Sequence, residues 1–353
     1  MPLPSIPDYS ISIKTPQLVH PQILAGGHPI EKGSNVIKYA GGFCVVFPYQ
    51  TPKKKYAVRC WHAEIADAKK RTQLIADALK SSNLPYFVGF EYFEDGIMTS
   101  QGRQPIVVMD WVEAAPLKKY IAEHISEANK LNDLAENFKI MVADLHRHHF
   151  AHGDLQHGNI LVKDDGSLVL VDYDSMYVPA LHGMKDEIKG LQGYQHEARW
   201  RNEYITEKAD YFSELVIYLS IKALALIPAL WEDLKIEDTE TLVFAADDIK
   251  SKGTSHIFQI LNTQIELQPL VQKLCDFMQC TTIDELLPLE SATISLVDSI
   301  TDKWRGGNGH VAKPIDVHVE NPDDIANKWG KGNGYVKPTI EDSAESISAG
   351  WKK

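Results

Sequence analysis

"AHGDLQHGNILV" (residues 151–162), followed by "VDYDSMY" (171–177), decides how the rest of the chain is read. Asp154, Asn159 and Asp172 stand in short polar breaks between apolar, strand-like runs, where packing alone gains nothing from them. Carboxylates beside an amide in such breaks hold a metal ion or a proton. Asp154 and Asn159 are five residues apart, just before "ILV", and Asp172 follows "LVLV" across a "KDDG" turn. A hairpin of that length brings both carboxylates and the amide to one end. Hard oxygen ligands of this kind suit Mg²⁺, which keeps waters and is shared with substrate phosphates. Phosphoryl transfer from ATP needs such ligands, a carboxylate that orients the acceptor hydroxyl, and a cover over the phosphates.

Upstream, residues 34–60 alternate β-branched and aromatic runs with turns, the pattern of a hairpin-rich antiparallel sheet. "ADAKKRTQLIADALKSS" (66–82) sets Leu74, Ile75, Ala78 and Leu79 on one helical stripe. "YFVGFEYF" and "PIVVMDWV" read as further strands, and after "EAAP" both "LKKYIAEHI" and "LNDLAENFKIMVADLHRHHF" carry helical periodicity. Strands then helices imply an α+β arrangement with a cleft between a small sheet domain and a larger helical one. The expected divisions are an N-terminal extension (1–33), whose proline spacing argues against a regular element, a small lobe (34–113), a large lobe (114–290) and a tail (291–353).

Composition narrows the class. A chain of 353 residues, 44% hydrophobic and 24% charged, buries a core, and its formal charge of -12 argues against nucleic acid or an anionic membrane as partner. Cys44, Cys60, Cys275 and Cys280 lack zinc-type spacing and read as reduced thiols of a cytoplasmic protein. The N-terminus lacks the pattern of a signal peptide, and "LVIYLSIKALALIPALW" (215–231), interrupted by Lys222 and Pro228, reads as a buried core helix. His146, His148, His149, His152 and His157 form no zinc motif, and no nucleophile elbow, P-loop or dinucleotide fingerprint is present.

"HGDLQHGN" resembles the catalytic loop of the protein kinase-like superfamily, and "DYD" (172–174) stands where its D-F-G is expected. The variant is similar to bacterial eukaryotic-like Ser/Thr kinases, and the glycine at 153 is similar to the "HGD" loop of aminoglycoside and choline phosphotransferases. The resemblance runs over roughly residues 34–285. It implies a bilobal fold, with an antiparallel N-lobe sheet carrying one main helix and a mainly helical C-lobe. It implies ATP with Mg²⁺ or Mn²⁺, Asp154 as catalytic base, Asn159 and Asp172 as metal ligands, and His152 as a structural member of the loop. "GGFCVV" (41–46) resembles the later part of a glycine-rich loop, implying Gly41, Gly42 and Phe43 over the phosphates and Val46 under the adenine. "YAVRC" resembles the strand of the ATP-contacting lysine, with Ala57 against the adenine and Arg59 in the lysine's place. "VVMDWVEAAPL" resembles the hinge, implying Met109 as gatekeeper and Asp110 and Val112 as backbone contacts. "GYQHEARW" stands near the end of the activation segment, and Asp210 in "KADYFSELVIYL" supports the catalytic loop.

Three departures stand out. Arg59 replaces a lysine, and its planar fork is no neutral substitute. Asp77, eighteen residues on, is expected to be its acidic partner or else an exposed helix residue. Gln156 replaces the lysine that meets the transferring phosphate, removing electrostatic stabilisation. Tyr39 and Cys44 occupy glycine positions in the phosphate cover, where Cβ atoms hinder close approach. The expected function is a Ser/Thr protein kinase. The rival readings are a pseudokinase that senses nucleotide or a partner without transferring phosphate, and a small-molecule kinase. The tail repeats "DKWRGGNGHVAKP" (302–314) as "NKWGKGNGYVKP" (327–338). Trp304 and Trp329 dock either on their own domain or on a protein partner.

Overall fold

The computed structural model describes residues 3–64, 67–291 and 293, so the tail repeat with Trp304 and Trp329 lies outside the described residues. The chain opens with α1 (Ile6–Ile13), where an irregular segment was expected. Ser5 caps its first turn through a reciprocal bond with Asp8, and Pro7 sits in that turn, where its missing N–H costs nothing. Strands β1 (His28–Pro29), β2 (Glu31–Lys32), β3 (Asn35–Val36), β4 (Tyr39–Ala40), β5 (Cys44–Gln50) and β6 (Lys55–Trp61) follow. Helix α2 (Ala68–Ser82) then leads to β7 (Phe90–Thr99) and β8 (Gly102–Asp110). The main sheet is antiparallel in the order β1-β5-β6-β8-β7, with β4 also paired to β5.

Both faces of this sheet are buried, which is why its strands read as continuous apolar runs instead of alternating ones. Val45, Phe47, Val58 and Val108 face Tyr9 and Ile13 of α1. Cys44, Val46, Ala57, Val107 and Met109 face α2 and the larger lobe. The first thirty residues therefore complete the small lobe: α1 covers its outer face, β1 extends its edge, and the Tyr9 hydroxyl donates to the Trp61 carbonyl at 2.9 Å.

The second lobe begins with β9 (Ala115–Pro116), α3 (Leu117–Glu123) and α4 (Ala128–Arg147), then β10 (Ile160–Val162) and β11 (Leu168–Leu170), which form a small sheet in the order β11-β10-β9. Helix α5 (Tyr211–Leu226) is buried almost all round and packs against α4, as a core helix would. Helices α6 (Leu230–Asp233), α7 (Ala246–Lys250), α8 (His256–Asn262) and α9 (Gln268–Gln279) complete it. This curled antiparallel sheet beside a helical lobe is compatible with a kinase-like bilobal fold. No helix among the described residues is long and apolar enough to cross a membrane. All four cysteines are free thiols.

Candidate functional site

The β10 and β11 hairpin sets the register of the site. Ile160 pairs with Leu170 and Val162 with Leu168, and Val171 N–H donates to the Asn159 carbonyl at 3.0 Å, so Asn159 and Asp172 meet at one end. Asn159 Nδ2 donates to the Asp154 carbonyl at 2.8 Å and to its Oδ2 at 3.1 Å, closing the polar break into one buried unit. Asp172 takes a left-handed backbone (φ 68°), a conformation aspartate tolerates better than most residues.

The loop is fixed from below. His152 is fully buried; its Nε2–H donates to the Val171 carbonyl at 2.9 Å, and its main-chain N–H donates to Asp210 Oδ2. Gly153 N–H donates to Asp210 Oδ1 at 2.9 Å, and burial raises the Asp210 carboxyl above its ordinary pKa. Gly153 has φ 77°, and a Cβ there would stand 1.9 Å from the Ser175 carbonyl oxygen. That contact explains the glycine of "HGD", since the next strand-end turn leaves no room for any side chain.

From the small lobe, residues 41–44 form a tight turn in which Gly41 N–H donates to the Cys44 carbonyl at 2.8 Å. His62 pins it, bonding the Gly41 carbonyl through Nε2 at 3.0 Å and donating its main-chain N–H to the Phe43 carbonyl at 2.9 Å. Gly41, Gly42, Phe43, Val46 and Arg59 wall one side of a cavity of about 280 Å³, with Asp154, Asn159, Asp172 and Asp174 on the other. Tyr39 and Cys44 stand in the same wall.

The partner expected for Arg59 is corrected. Asp77 is exposed, because the buried side of α2 is Arg71, Thr72, Ile75, Ala76 and Leu79, and at 100° per residue Asp77 points two steps away from Ile75. Arg59, only 3% exposed, instead pairs through Nη2 with Asp174 Oδ2 and lies 3.4 Å from Asp172 Oδ1. Burial alone pulls its pKa down, but Asp174, Cys44 and Asp172 outweigh that and raise it. Burial pushes the Asp174 carboxyl and the Cys44 thiol up, so Cys44 is no thiolate nucleophile. The inward cation of α2 is Arg71, which donates to the Lys185 carbonyl at 2.6 Å. Gln156 is buried. Its Oε1 accepts from Gly158 N–H at 2.7 Å and caps the loop's own turn.

The remaining expected contacts, Val46, Ala57, Met109, Asp110 and Val112, line a second space with Leu161 and Val171, of about 30 Å³. That space is narrow beside the cavity under the turn at 41–44. Asp110 also holds Lys54 at 2.6 Å across the outer edge.

Residues 96–185 match the family model described as the ABC1 atypical kinase-like domain. The match takes in the loop with Asp154 and Asn159 and the "DYD" turn, but stops short of the glycine turn, Arg59 and α2. It supports the protein kinase-like superfamily and a kinase-like ATP-binding domain. A search of curated proteins finds no match to the chain.

The donor set fits a hard divalent cation. Asn159 commits its amide nitrogen to Asp154, which leaves its carbonyl oxygen as a donor, and Asp172 adds a half-exposed carboxylate in the same cavity. Among the described residues no three His, Cys, Asp or Glu side chains group as a metal site, so substrate phosphate oxygens would have to complete the shell.

Residues that the sequence reading passed over lie in the segment beyond "DYD". Arg199, 1% exposed, forms a fork with Asp186 (3.1 Å to each oxygen) and donates to the Gly153 carbonyl and, at 2.6 Å, to Gln195 Oε1. Leu191 N–H donates to Asp154 Oδ1 at 3.0 Å. The arginine inside "GYQHEARW" was the available signal, but nothing in one sequence says which carboxylate it meets.

Proposed function

We propose that the chain is an ATP-dependent phosphotransferase that moves the γ-phosphate of a Mg²⁺-nucleotide to a protein serine or threonine hydroxyl. The carrying observation is that Asp154, Asn159 and Asp172 share one cavity beneath the turn at 41–44. In this reading the acceptor oxygen bonds to the γ-phosphorus as the bond to the β,γ-bridging oxygen breaks, and Asp154 receives the hydroxyl proton. Asn159 and Asp172 would hold the divalent cation, which neutralises phosphate charge when bound. Arg59 brings a permanent positive charge to the same wall, where Asp172 and Asp174 position it. Gly190 and Leu191 of the segment after "DYD" lie against Asp154, which favours a protein acceptor approaching over that segment, in place of a small molecule in a preformed pocket.

One observation favours a second reading, a nucleotide-sensing pseudokinase. Arg59 is engaged by the Asp172 that would also serve a metal. Calorimetry with ATP, with and without Mg²⁺, on wild type, Asn159→Ala and Asp172→Ala separates the two when joined to γ-phosphate transfer. The phosphotransferase reading expects Mg²⁺-dependent binding, weakened at least tenfold in both variants, with label transferred by wild type. Binding without transfer to any protein supports the pseudokinase, and Mg²⁺-independent binding contradicts the assigned ligands.

A further inference from the structure

We propose that Gln195 holds the acceptor hydroxyl against Asp154, and that the turn at Gly190 and Leu191 occupies that position in the closed chain. This rests on the phosphotransferase reading and adds an acceptor-binding group to the same site.

Gln195 is 4% exposed, yet its Nε2 is buried without a hydrogen-bond partner among the described residues. Such a donor is rare in a folded interior and points to a ligand that completes it. Its orientation is fixed, because Oε1 accepts from Arg199 and Arg199 is itself locked on Asp186, so the amide nitrogen must face the other way. What it faces is Gly190. A Cβ on Gly190 would stand 3.0 Å from Gln195 Nε2 and 2.7 Å from Asp154 Oδ1, so donor and acceptor converge on the space that a side chain at 190 would fill.

Gly190 has φ 77°, and the following N–H, that of Leu191, is donated to Asp154 Oδ1. The turn therefore satisfies the carboxylate but leaves the amide unpaired, since a backbone N–H has no lone pair to offer. A hydroxyl in its place does both, donating its proton to Asp154 and accepting from Gln195. Withdrawal of residues 190 and 191 turns a plugged pair into an acceptor site, and the glycines at 190 and 193, both with positive φ, supply the freedom for that movement.

The test uses the full chain with Mg²⁺-ATP and dephosphorylated casein as a generic acceptor. Label transferred to casein, to the chain itself and to water is measured for wild type, Gln195→Glu and Gln195→Leu, beside nucleotide affinity and unfolding midpoints. Gln195→Glu keeps an oxygen for Arg199 but replaces the N–H donor with a charged oxygen, and Gln195→Leu removes the donor without adding charge, so a loss shared by both separates the missing donor from the added charge. The expected result is transfer to protein at least tenfold slower in both variants, with nucleotide affinity within twofold of wild type. Wild-type transfer rates in Gln195→Glu, or equal losses in transfer and nucleotide affinity, overturn the role of Gln195 alone. Wild type that moves no label to protein or water overturns the phosphotransferase reading, and this inference with it.

Discussion

Replacing Asp174 with asparagine distinguishes the ion pair found in the cleft from the one its sequence suggests. Arg59 is buried, and its guanidinium meets Asp174 directly and Asp172 at 3.4 Å. Removing one partner of a buried pair costs about 3–5 kcal/mol, because the other charge is left uncompensated. Asp172 stays within reach and the burial-raised pKa of Asp174 lowers its worth as an anion, so Asp174→Asn is expected to lose about 2–3 kcal/mol. Asp77→Asn removes an exposed charge and is expected to change stability by less than about 0.5 kcal/mol. Urea unfolding of the two variants, with midpoints converted at a common slope, reads the difference. A loss above about 1.5 kcal/mol for Asp77→Asn, or none for Asp174→Asn, would refute the pairing.

Three further outcomes are expected. Gly153→Ala combines a left-handed backbone, about 1–2 kcal/mol for an L side chain, with a Cβ 1.9 Å from the Ser175 oxygen, so unfolding assays should show a loss of at least about 2 kcal/mol. At His146, burial alone lowers the pKa, but Glu214 at 2.7 Å and Glu290 at 2.9 Å outweigh it and hold the imidazolium up to about 9, against 6.5 unfolded. The folded chain thus keeps a proton that the unfolded chain releases, so stability should fall as pH rises from 6.5 to about 9, and His146→Gln should flatten that slope in denaturation at stepped pH. Tyr9→Phe leaves the Trp61 carbonyl short of a buried donor and should cost about 1 kcal/mol in the same assay, which would show that α1 is part of the small lobe's core.

The polar break was legible because its meaning is local. The hairpin from 160 to 170 follows from strand length and the "KDDG" turn, and it alone carries Asn159 and Asp172 to one end. The sheet was legible as a run of strands, yet the same nearly continuous apolar runs, "FCVVFPY" and "YAVRCW", broken only by Arg59, also signalled burial on both faces. The first thirty residues were therefore needed as a cover, and Ser5 with Asp8 marked where its helix begins. Arg59 and Asp77 show the limit. Helix phase was read from Leu74, Ile75, Ala78 and Leu79, of which Leu74 and Ala78 are only partly buried, whereas the inward face also takes in Arg71, Thr72 and Ala76, and a phase error of about one residue moves a carboxylate into solvent. Asp174, Gln195 and Arg199 meet Arg59, Gly190 and Asp186 through tertiary closure of the segment after "DYD", which no periodicity encodes.

The central claim is that Asp154 accepts the acceptor hydroxyl's proton in phosphoryl transfer. The measurement that tests it most directly is single-turnover transfer of labelled γ-phosphate to protein in Mg²⁺ or Mn²⁺, comparing wild type with Asp154→Ala at saturating nucleotide. The account predicts transfer slowed by about 10²–10⁴-fold with nucleotide affinity unchanged. Transfer at the wild-type rate in Asp154→Ala would contradict it.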